Sequence, residues 1–236
     1  MREQFHTTTA QGLFACKWAH PDITPAIAYL TTRVHNPNQD DWQKLCRMMK
    51  FLQQTSKDRL MLSANGSHNL HWHVDAAFAV HPYFKRHTGA TITMGKRVVT
   101  SISCKQSINT CSSTKAELIA ADEVIGSVLW TQNFLEAQGY ALEDNILHQD
   151  NKSAILLESN GCKSAGKRSK HLNVCLFFVT DQKDKKSISI RFCPTDQMTR
   201  DYMTKPTHGG RFKQFRQDIM NLPVAAQMFM WCCMQV

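Results

Sequence analysis

The amino-acid sequence predicts an α/β fold, in which a mixed five-stranded sheet is flanked by helices and preceded by a small helical segment. The order of the predicted elements carries this prediction: three strands in succession, a long helix, and then two more strands that alternate with helices. Successive strands joined by tight turns favour antiparallel pairing, and strands that alternate with helices favour parallel pairing. Both patterns in one chain indicate a mixed sheet with helices on its faces.

The beginning of the chain is predicted to be helical. Apolar residues recur at helical spacing between Trp42 and Leu52, after an earlier Pro21-Asp22 turn. The polar sequence Asn65-Gly66-Ser67 interrupts this pattern and marks a boundary near residues 63–69. A chain of 236 residues has room for one full core and a smaller appended unit, so two parts are expected.

The first strand is predicted over residues 71–78, where large apolar residues alternate with polar ones. Asp75 falls on the polar face of this strand. Two further strands, 90–94 and 97–104, are separated by Gly95-Lys96, a signal for a tight turn. Three antiparallel strands in succession are the economical interpretation.

Helices and strands alternate in the remainder of the pattern. A long helix carries Glu117 in its first turn, a short strand ends at Asp150, and a short helix that Pro206 terminates carries Asp201. The predicted ranges are a helix over 113–137, a strand over 145–149, a helix from 153, a helix over 171–184 and a strand over 187–193.

Charge and cysteine content restrict the classes of function. The formal net charge is +9 and the sequence pI is about 9.2, which suits a polyanionic partner. Nine cysteines without an apolar stretch at the start of the sequence indicate reduced thiols, and no apolar run approaches the length of about 18 residues that a bilayer requires. We therefore expect an intracellular protein that is not secreted and has no membrane partner.

Four carboxylates, Asp75, Glu117, Asp150 and Asp201, are the main candidates for chemistry. The gaps between them are 42, 33 and 51 residues, so only a fold could bring them together. Together they could hold two divalent ions for phosphodiester hydrolysis, because magnesium prefers hard oxygen ligands.

Each acid also has a structural explanation. Asp75 could face solvent, Glu117 could complete a capping box with Thr114, Asp150 could cap the following helix, and Asp201 could lie on a helix surface.

Other polar clusters are weaker candidates. Five histidines between His68 and His87 match no zinc signature in their spacing, so we interpret them as polar-face and loop residues. A Gly- and Lys-rich loop is either a solvated run of charge or a phosphate-contacting edge beside the active site. Its basic residues are Lys163, Lys167, Arg168 and Lys170.

Five motifs together resemble the C-terminal end of copia-type retrotransposon Pol polyproteins, where a ribonuclease H domain follows the end of the reverse transcriptase. They are VDAAFA, SCKQSINTCSSTKAELIA, HQDNKSAI, SKHLNV and CPTDQMTRDYMTKP. The preceding HPDITPAIAYLTTRVHNPNQDDW resembles the segment that links polymerase to ribonuclease H in that family. The resemblance divides the chain into a connection segment over 1–66, a ribonuclease H-like domain over 67–222 and an unassigned tail over 223–236.

The resemblance implies a ribonuclease H-like fold and hydrolysis of the RNA strand in an RNA:DNA hybrid, with two Mg²⁺ or Mn²⁺ ions on the four acids. It also implies the rest of a reverse transcriptase as a further partner, since the paired aspartates of the polymerase site are absent here. Ala77 stands where many relatives have a second aspartate. The alternatives are a retroelement relic that binds nucleic acid or a partner without cutting, and a DNA-cutting integrase or exonuclease of the same fold.

Overall fold

The computed structural model describes most of the chain in two compact units. The described residues are 2–62, 66–77, 81, 85–94, 97–108, 110, 112–161, 173–194, 201–204, 207 and 209–222. The boundaries between the units fall between residues 63 and 64 and between residues 204 and 205. The first unit is helical and includes the last helix, whereas the second contains the sheet.

The beginning of the chain is helical, as the sequence predicts. The elements of the helical unit there are α1 (Arg2–Trp18), a short 3-10 helix (Pro21–Ile23), α2 (Thr24–Thr31) and α3 (Gln39–Gln54). Helix α3 starts with a capping box, in which the Asn38 side chain accepts from the Asp41 backbone N–H at 2.8 Å and Asp41 accepts from the Asn38 backbone N–H at 3.0 Å. None of the helices in the described ranges has both the length and the apolar character needed to cross a membrane.

The last helix, α8 (Gly209–Met220), packs within the helical unit. The Phe212 ring meets Phe51 edge to face at 6.0 Å, and the buried Arg216 donates to Asp22 at 2.7 Å and to Asp58 at 2.6 Å. A buried guanidinium needs such carboxylates, because an uncompensated charge in the interior is costly. The domain division that the sequence suggests stays a prediction.

The sheet unit contains every predicted strand. Its elements are β1 (Asn69–Ala77), β2 (His87–Met94), β3 (Arg97–Lys105), α4 (Ser113–Ala137), β4 (Asp144–Gln149), α5 (Lys152–Asn160), α6 (Asn173–Asp184), β5 (Ser189–Phe192) and α7 (Asp201–Thr204). The predicted fold class is confirmed: a mixed five-stranded sheet is combined with helices and preceded by a helical segment.

The strands lie in the order β3-β2-β1-β4-β5, so β1 is central, as the sequence predicts for the strand that carries Asp75. The pairs β1–β2 and β2–β3 are antiparallel, whereas β1–β4 and β4–β5 are parallel. Parallel neighbours place their carboxyl ends at the same edge of a sheet. The residues that follow β1 and β4 therefore meet at one edge.

The core of this unit lies between the central strands and α4. Leu70, Trp72 and Val74 of β1 are almost completely buried, and they cluster with α4 residues such as Val124 and Val128. The predicted alternation along β1 holds up to Val74, and Asp75 then departs from it because its side chain is only 4% exposed. A carboxylate is rarely buried without partners, so Asp75 is expected to have partners nearby.

Candidate active site

Three of the four predicted acids converge in the sheet unit. Asp75 belongs to β1, Glu117 to the beginning of α4, and Asp150 directly follows β4. One carboxylate oxygen from each lies within 4.8 Å of the others. Asp75 and Glu117 are 4% and 5% exposed, and Asp150 is half-buried. The solvent-facing explanation for Asp75 is therefore wrong.

The beginning of α4 directs Glu117 toward β1. Ser112, not Thr114, caps this helix, because its hydroxyl accepts from the Lys115 backbone N–H at 3.3 Å. The capping-box explanation for Glu117 is therefore wrong. Its Oε1 instead accepts from the backbone N–H of Ala76 at 3.3 Å, which holds the carboxylate beside Asp75. Sequence alone could not choose between neighbouring cap residues.

The end of β4 positions Asp150. The following helix α5 is capped by Asn151, whose side chain accepts from the Ala154 backbone N–H at 3.1 Å, so the capping explanation for Asp150 is also wrong. The last register pair between β1 and β4 is His73 with His148. Asp75 and Asp150 thus each lie two residues beyond the same register position, which explains their proximity.

Thr204 is a site residue that the sequence analysis did not identify. Its hydroxyl donates to Asp75 Oδ2 at 2.6 Å, from the end of the four-residue helix α7. Gly89, the register partner of Asp75, allows this approach. A Cβ there would lie 2.5 Å from Thr204 Cγ2 and 3.0 Å from the Met203 backbone carbon. A glycine within a strand pattern is a signal for such close backbone approach.

The fourth acid and the basic loop stay predictions. Asp201 begins α7, the helix whose other end contacts Asp75 through Thr204, but its side chain is outside the part of the chain that the structure describes. The basic residues of the predicted phosphate-contacting loop also lie outside the described residues. They are Lys163, Lys167, Arg168 and Lys170.

Two histidines are buried, His81 in a loop and His87 at the start of β2, which corrects the polar-face interpretation for His87. His81 Nε2 lies 2.8 Å from His87 Nδ1, His87 Nε2 lies 2.6 Å from Ser103 Oγ, and the Ser103 hydroxyl donates to the Met203 carbonyl at 2.9 Å. Burial, with a smaller contribution from His81, lowers the pKa of His87 to about 4, so the ring is neutral at pH 7. This chain of contacts connects β2 and β3 to the helix that holds Thr204.

Glu158 is a buried acid that lies outside the cluster of three carboxylates. Glu158 of α5 is fully buried. Burial raises its pKa to about 8, and the side chain of Gln149 only partly opposes this effect. Glu158 is therefore mainly protonated at pH 7.

The donor set at the convergence consists only of carboxylate oxygens. Hard oxygen donors suit Mg²⁺ or Mn²⁺ better than they suit softer metals. Crowded carboxylates repel one another, and a divalent cation would remove that repulsion. The residues present therefore fit a hard divalent metal ion.

Comparison with known proteins finds relatives of the chain among transposon proteins. No family model matches the chain. The Retrovirus-related Pol polyprotein from transposon TNT 1-94 of Nicotiana tabacum is 26% identical over 202 residues, which cover 85% of this chain. The corresponding proteins from transposons RE2 and RE1 of Arabidopsis thaliana are 25% and 24% identical, each over 86% of this chain. The chain spans only 14–15% of the length of these relatives.

Solved structures of ribonucleases H also align with the chain. LC11-RNase H1 in complex with RNA/DNA hybrid has 14% identity and a TM-score of 0.43, and the alignment covers 57% of this chain and 93% of that protein. RNase H1 from the halophilic archaeon Halobacterium salinarum has 16% identity and a TM-score of 0.39, with 58% and 94% covered.

The relatives from tobacco and Arabidopsis agree with the resemblance that the five motifs indicate. Their alignments extend over most of the chain, from the helical unit into the sheet unit, and not over an isolated motif. The chain is a distant homologue of copia-type retrotransposon Pol polyproteins.

Proposed function

We propose that this chain is a ribonuclease H-type endonuclease that cleaves the RNA strand of RNA:DNA hybrids by two-metal-ion hydrolysis and derives from a retrotransposon Pol polyprotein. The observation that carries the proposal is the convergence of Asp75, Glu117 and Asp150, with oxygens within 4.8 Å of one another. Two of these carboxylates are nearly completely buried, a costly arrangement for charged groups that hold no ion.

The four predicted acids would hold two Mg²⁺ or Mn²⁺ ions, with Asp201 as the fourth ligand. When bound, such a pair supplies an activated water and stabilises the leaving oxygen of a phosphodiester. The protein's own contribution is to hold the ligands in place. Thr204 orients the carboxylate of Asp75 through its hydroxyl, and the Ala76 backbone N–H orients that of Glu117.

The substrate would be held mainly through its phosphates. A net charge of +9 supports a polyanionic partner, and shape-based recognition of a hybrid needs no sequence-specific contacts. We assign these phosphate contacts to the basic loop residues Lys163, Lys167, Arg168 and Lys170. Residues 1–66 would be the end of a reverse transcriptase, residues 67–222 the nuclease domain and residues 223–236 an unassigned tail, so the remainder of the polymerase is a further proposed partner.

The test is a cleavage assay with a labelled RNA:DNA hybrid. Wild type is incubated with the hybrid in Mg²⁺ and separately in Mn²⁺, beside Asp150→Asn and the control Asp184→Asn, which makes the same change at an exposed residue of α6. We expect Asp150→Asn to reduce cleavage about a thousandfold or more, because losing several kcal/mol of charge stabilisation costs that much in rate. Asp184→Asn should cleave like wild type.

A gel shift without metal separates binding from cleavage. Both variants should bind the hybrid, with affinity that falls steeply as salt rises. If wild type binds but cleaves in neither metal, the enzyme proposal is wrong and the chain is a nucleic-acid-binding relic. If Asp150→Asn cleaves like wild type, the acidic site is wrongly assigned.

A further inference from the structure

A second donor set lies in the sheet unit outside the acidic site. It consists of His73 in β1, His148 in β4 and Cys193 directly after β5. One ligand atom from each, a ring nitrogen or the thiol sulfur, lies within 4.8 Å of the others. No short sequence motif indicates this set, because its residues are separated by 75 and 45 positions.

The backbone of the sheet determines the positions of these residues. His73 and His148 are direct register partners in the parallel pair β1–β4, and their rings stack with centroids 4.7 Å apart at 13°. The Cys193 backbone N–H donates to the Gln149 carbonyl at 2.8 Å, which continues the pairing of β4 with β5 by one residue. The three positions are therefore set by main-chain pairing, without the help of a ligand.

The chemistry of the donors selects a different class of ion from that of the carboxylates. Imidazole nitrogen and thiolate sulfur suit zinc and similar borderline ions, whereas magnesium prefers oxygen. Zinc binds nitrogen at about 2.0 Å and thiolate sulfur at about 2.3 Å, so atoms within 4.8 Å need shifts on the order of an ångström to share one ion.

The residues around the set are compatible with a bound cation. His71 Nδ1 lies 3.1 Å from His148 Nε2, so it can hold the His148 ring through the nitrogen that does not bind metal, as partners of metal-bound imidazoles commonly do. Arg191, the register partner of His148, is a nearby cation, and Asp144 forms an ion pair with it. Cys193 is 9% exposed, and its thiol donates to the Pro194 carbonyl at 3.8 Å.

We propose that His73, His148 and Cys193 form a binding site for one zinc-class divalent ion, with water at the fourth position. The ion would join three adjacent strands, β1, β4 and β5. Strand β5 has only four residues and lies at the edge of the sheet, so among the described strands only β4 pairs with it. Binding should therefore stabilise the fold.

The experiment is a Co²⁺ titration of the metal-free full chain, with excess Mg²⁺ present to occupy the carboxylates. Cobalt bound to a thiolate gives a sulfur-to-metal charge-transfer band in the near ultraviolet, which carboxylate ligands do not produce. We expect this band to saturate at one equivalent in wild type and to disappear on addition of Zn²⁺. Zn²⁺ should also raise the thermal unfolding midpoint.

Variants identify the ligands. Cys193→Ser should lose the band, and His148→Gln should weaken cobalt binding at least tenfold, as expected for the loss of one ligand from three. The matched control is Cys104→Ser on β3. Burial, with help from Glu123, raises the pKa of the Cys104 thiol to about 11, so this side chain is a poor thiolate donor and its loss should leave the band unchanged.

The proposal is wrong if wild type gives no charge-transfer band, if the band persists in Cys193→Ser, or if Cys104→Ser removes it equally. Far-ultraviolet circular dichroism of the metal-free variants shows whether they fold. Should Cys193→Ser not fold, wild type and His148→Gln decide the matter, because the first must show the band and the second must bind cobalt more weakly.

Discussion

The two donor sets of the sheet unit use the same pair of strands. Strand β1 carries His73 and, two residues later, Asp75, while β4 carries His148 and leads two residues later to Asp150. The third ligand makes the difference: helix α4 contributes a carboxylate to one set, and the segment after β5 contributes a thiol to the other. One pair of strands can thus present hard oxygen ligands and borderline nitrogen ligands side by side. The element that contributes the third ligand determines which class of ion each donor set suits.

The largest expected effect is on cleavage, and it distinguishes the acidic donor set from the histidine and cysteine set. Asp75→Asn should reduce Mg²⁺-dependent cleavage of the hybrid about a thousandfold or more, because a ligand charge is lost where several kcal/mol of stabilisation are needed. The sulfur-to-cobalt band of the same variant should remain. Cleavage assays and cobalt spectra on one preparation check both outcomes, and loss of the band together with cleavage would show that the sets act as a single site.

The second prediction concerns the glycine opposite Asp75. In Gly89→Ala the new Cβ would lie 2.5 Å from Thr204 Cγ2 and 2.9 Å from Met203 Cβ, so α7 must shift. A displacement on the order of an ångström at a catalytic group can cost about a hundredfold in rate, and we expect a loss of that size.

The control for this change is Gly126→Ala in α4, where an added Cβ meets nothing within 4 Å. Alanine is the better helix former, so this variant should be slightly more stable and equally active. Cleavage rates and unfolding midpoints of the two variants check the prediction. Equal rates for Gly89→Ala and wild type would mean that α7 does not position the acidic site.

The third prediction tests the hydrogen bond of Thr204. Thr204→Val keeps the shape of the side chain but removes the hydroxyl that donates to Asp75 at 2.6 Å. We expect kcat for hybrid cleavage to fall about tenfold, in the range observed when partners of metal ligands are removed, with little change in KM. Thr204→Ser, which retains the hydroxyl, should recover most of the loss. A fall in both variants would instead indicate packing.

The smallest effect concerns Glu158, a carboxyl group that belongs to neither set. Its pKa in the folded protein is about 8, against 4.5 for an ordinary glutamate, so the folded state binds a proton that the unfolded state releases between these values. The free energy of unfolding should therefore fall as pH rises through this window. Glu158→Gln removes the ionisation, and we expect it to stabilise the protein by about 1–3 kcal/mol above pH 8.

Chemical denaturation of wild type and Glu158→Gln at pH 5 and pH 8.5 measures this effect. The two proteins should converge at the lower pH, where Glu158 carries its proton in the folded state. A difference that is independent of pH would mean that the effect comes from packing and not from ionisation.

The sequence predicted the strands of the sheet unit and the central position of Asp75, because strand and helix periodicities are local properties of a chain. It did not resolve local choices between equivalent residues. Ser112 caps α4 although Thr114 and Glu117 match a capping box, because Glu117 bonds to the Ala76 backbone N–H instead. The choice depends on a strand that lies 41 residues earlier in the chain.

The sequence by itself determined which acids are candidates, since the order and content of five motifs resemble one family. Only the tertiary structure decided which side chains meet. The His73–His148 pair depends on the register of a parallel pair, and the Thr204–Asp75 contact spans 129 residues. Burial of His81, His87 and Glu158 also follows from packing. Local periodicity reports which face of its own element a residue occupies, whereas these contacts depend on how separate elements are brought together.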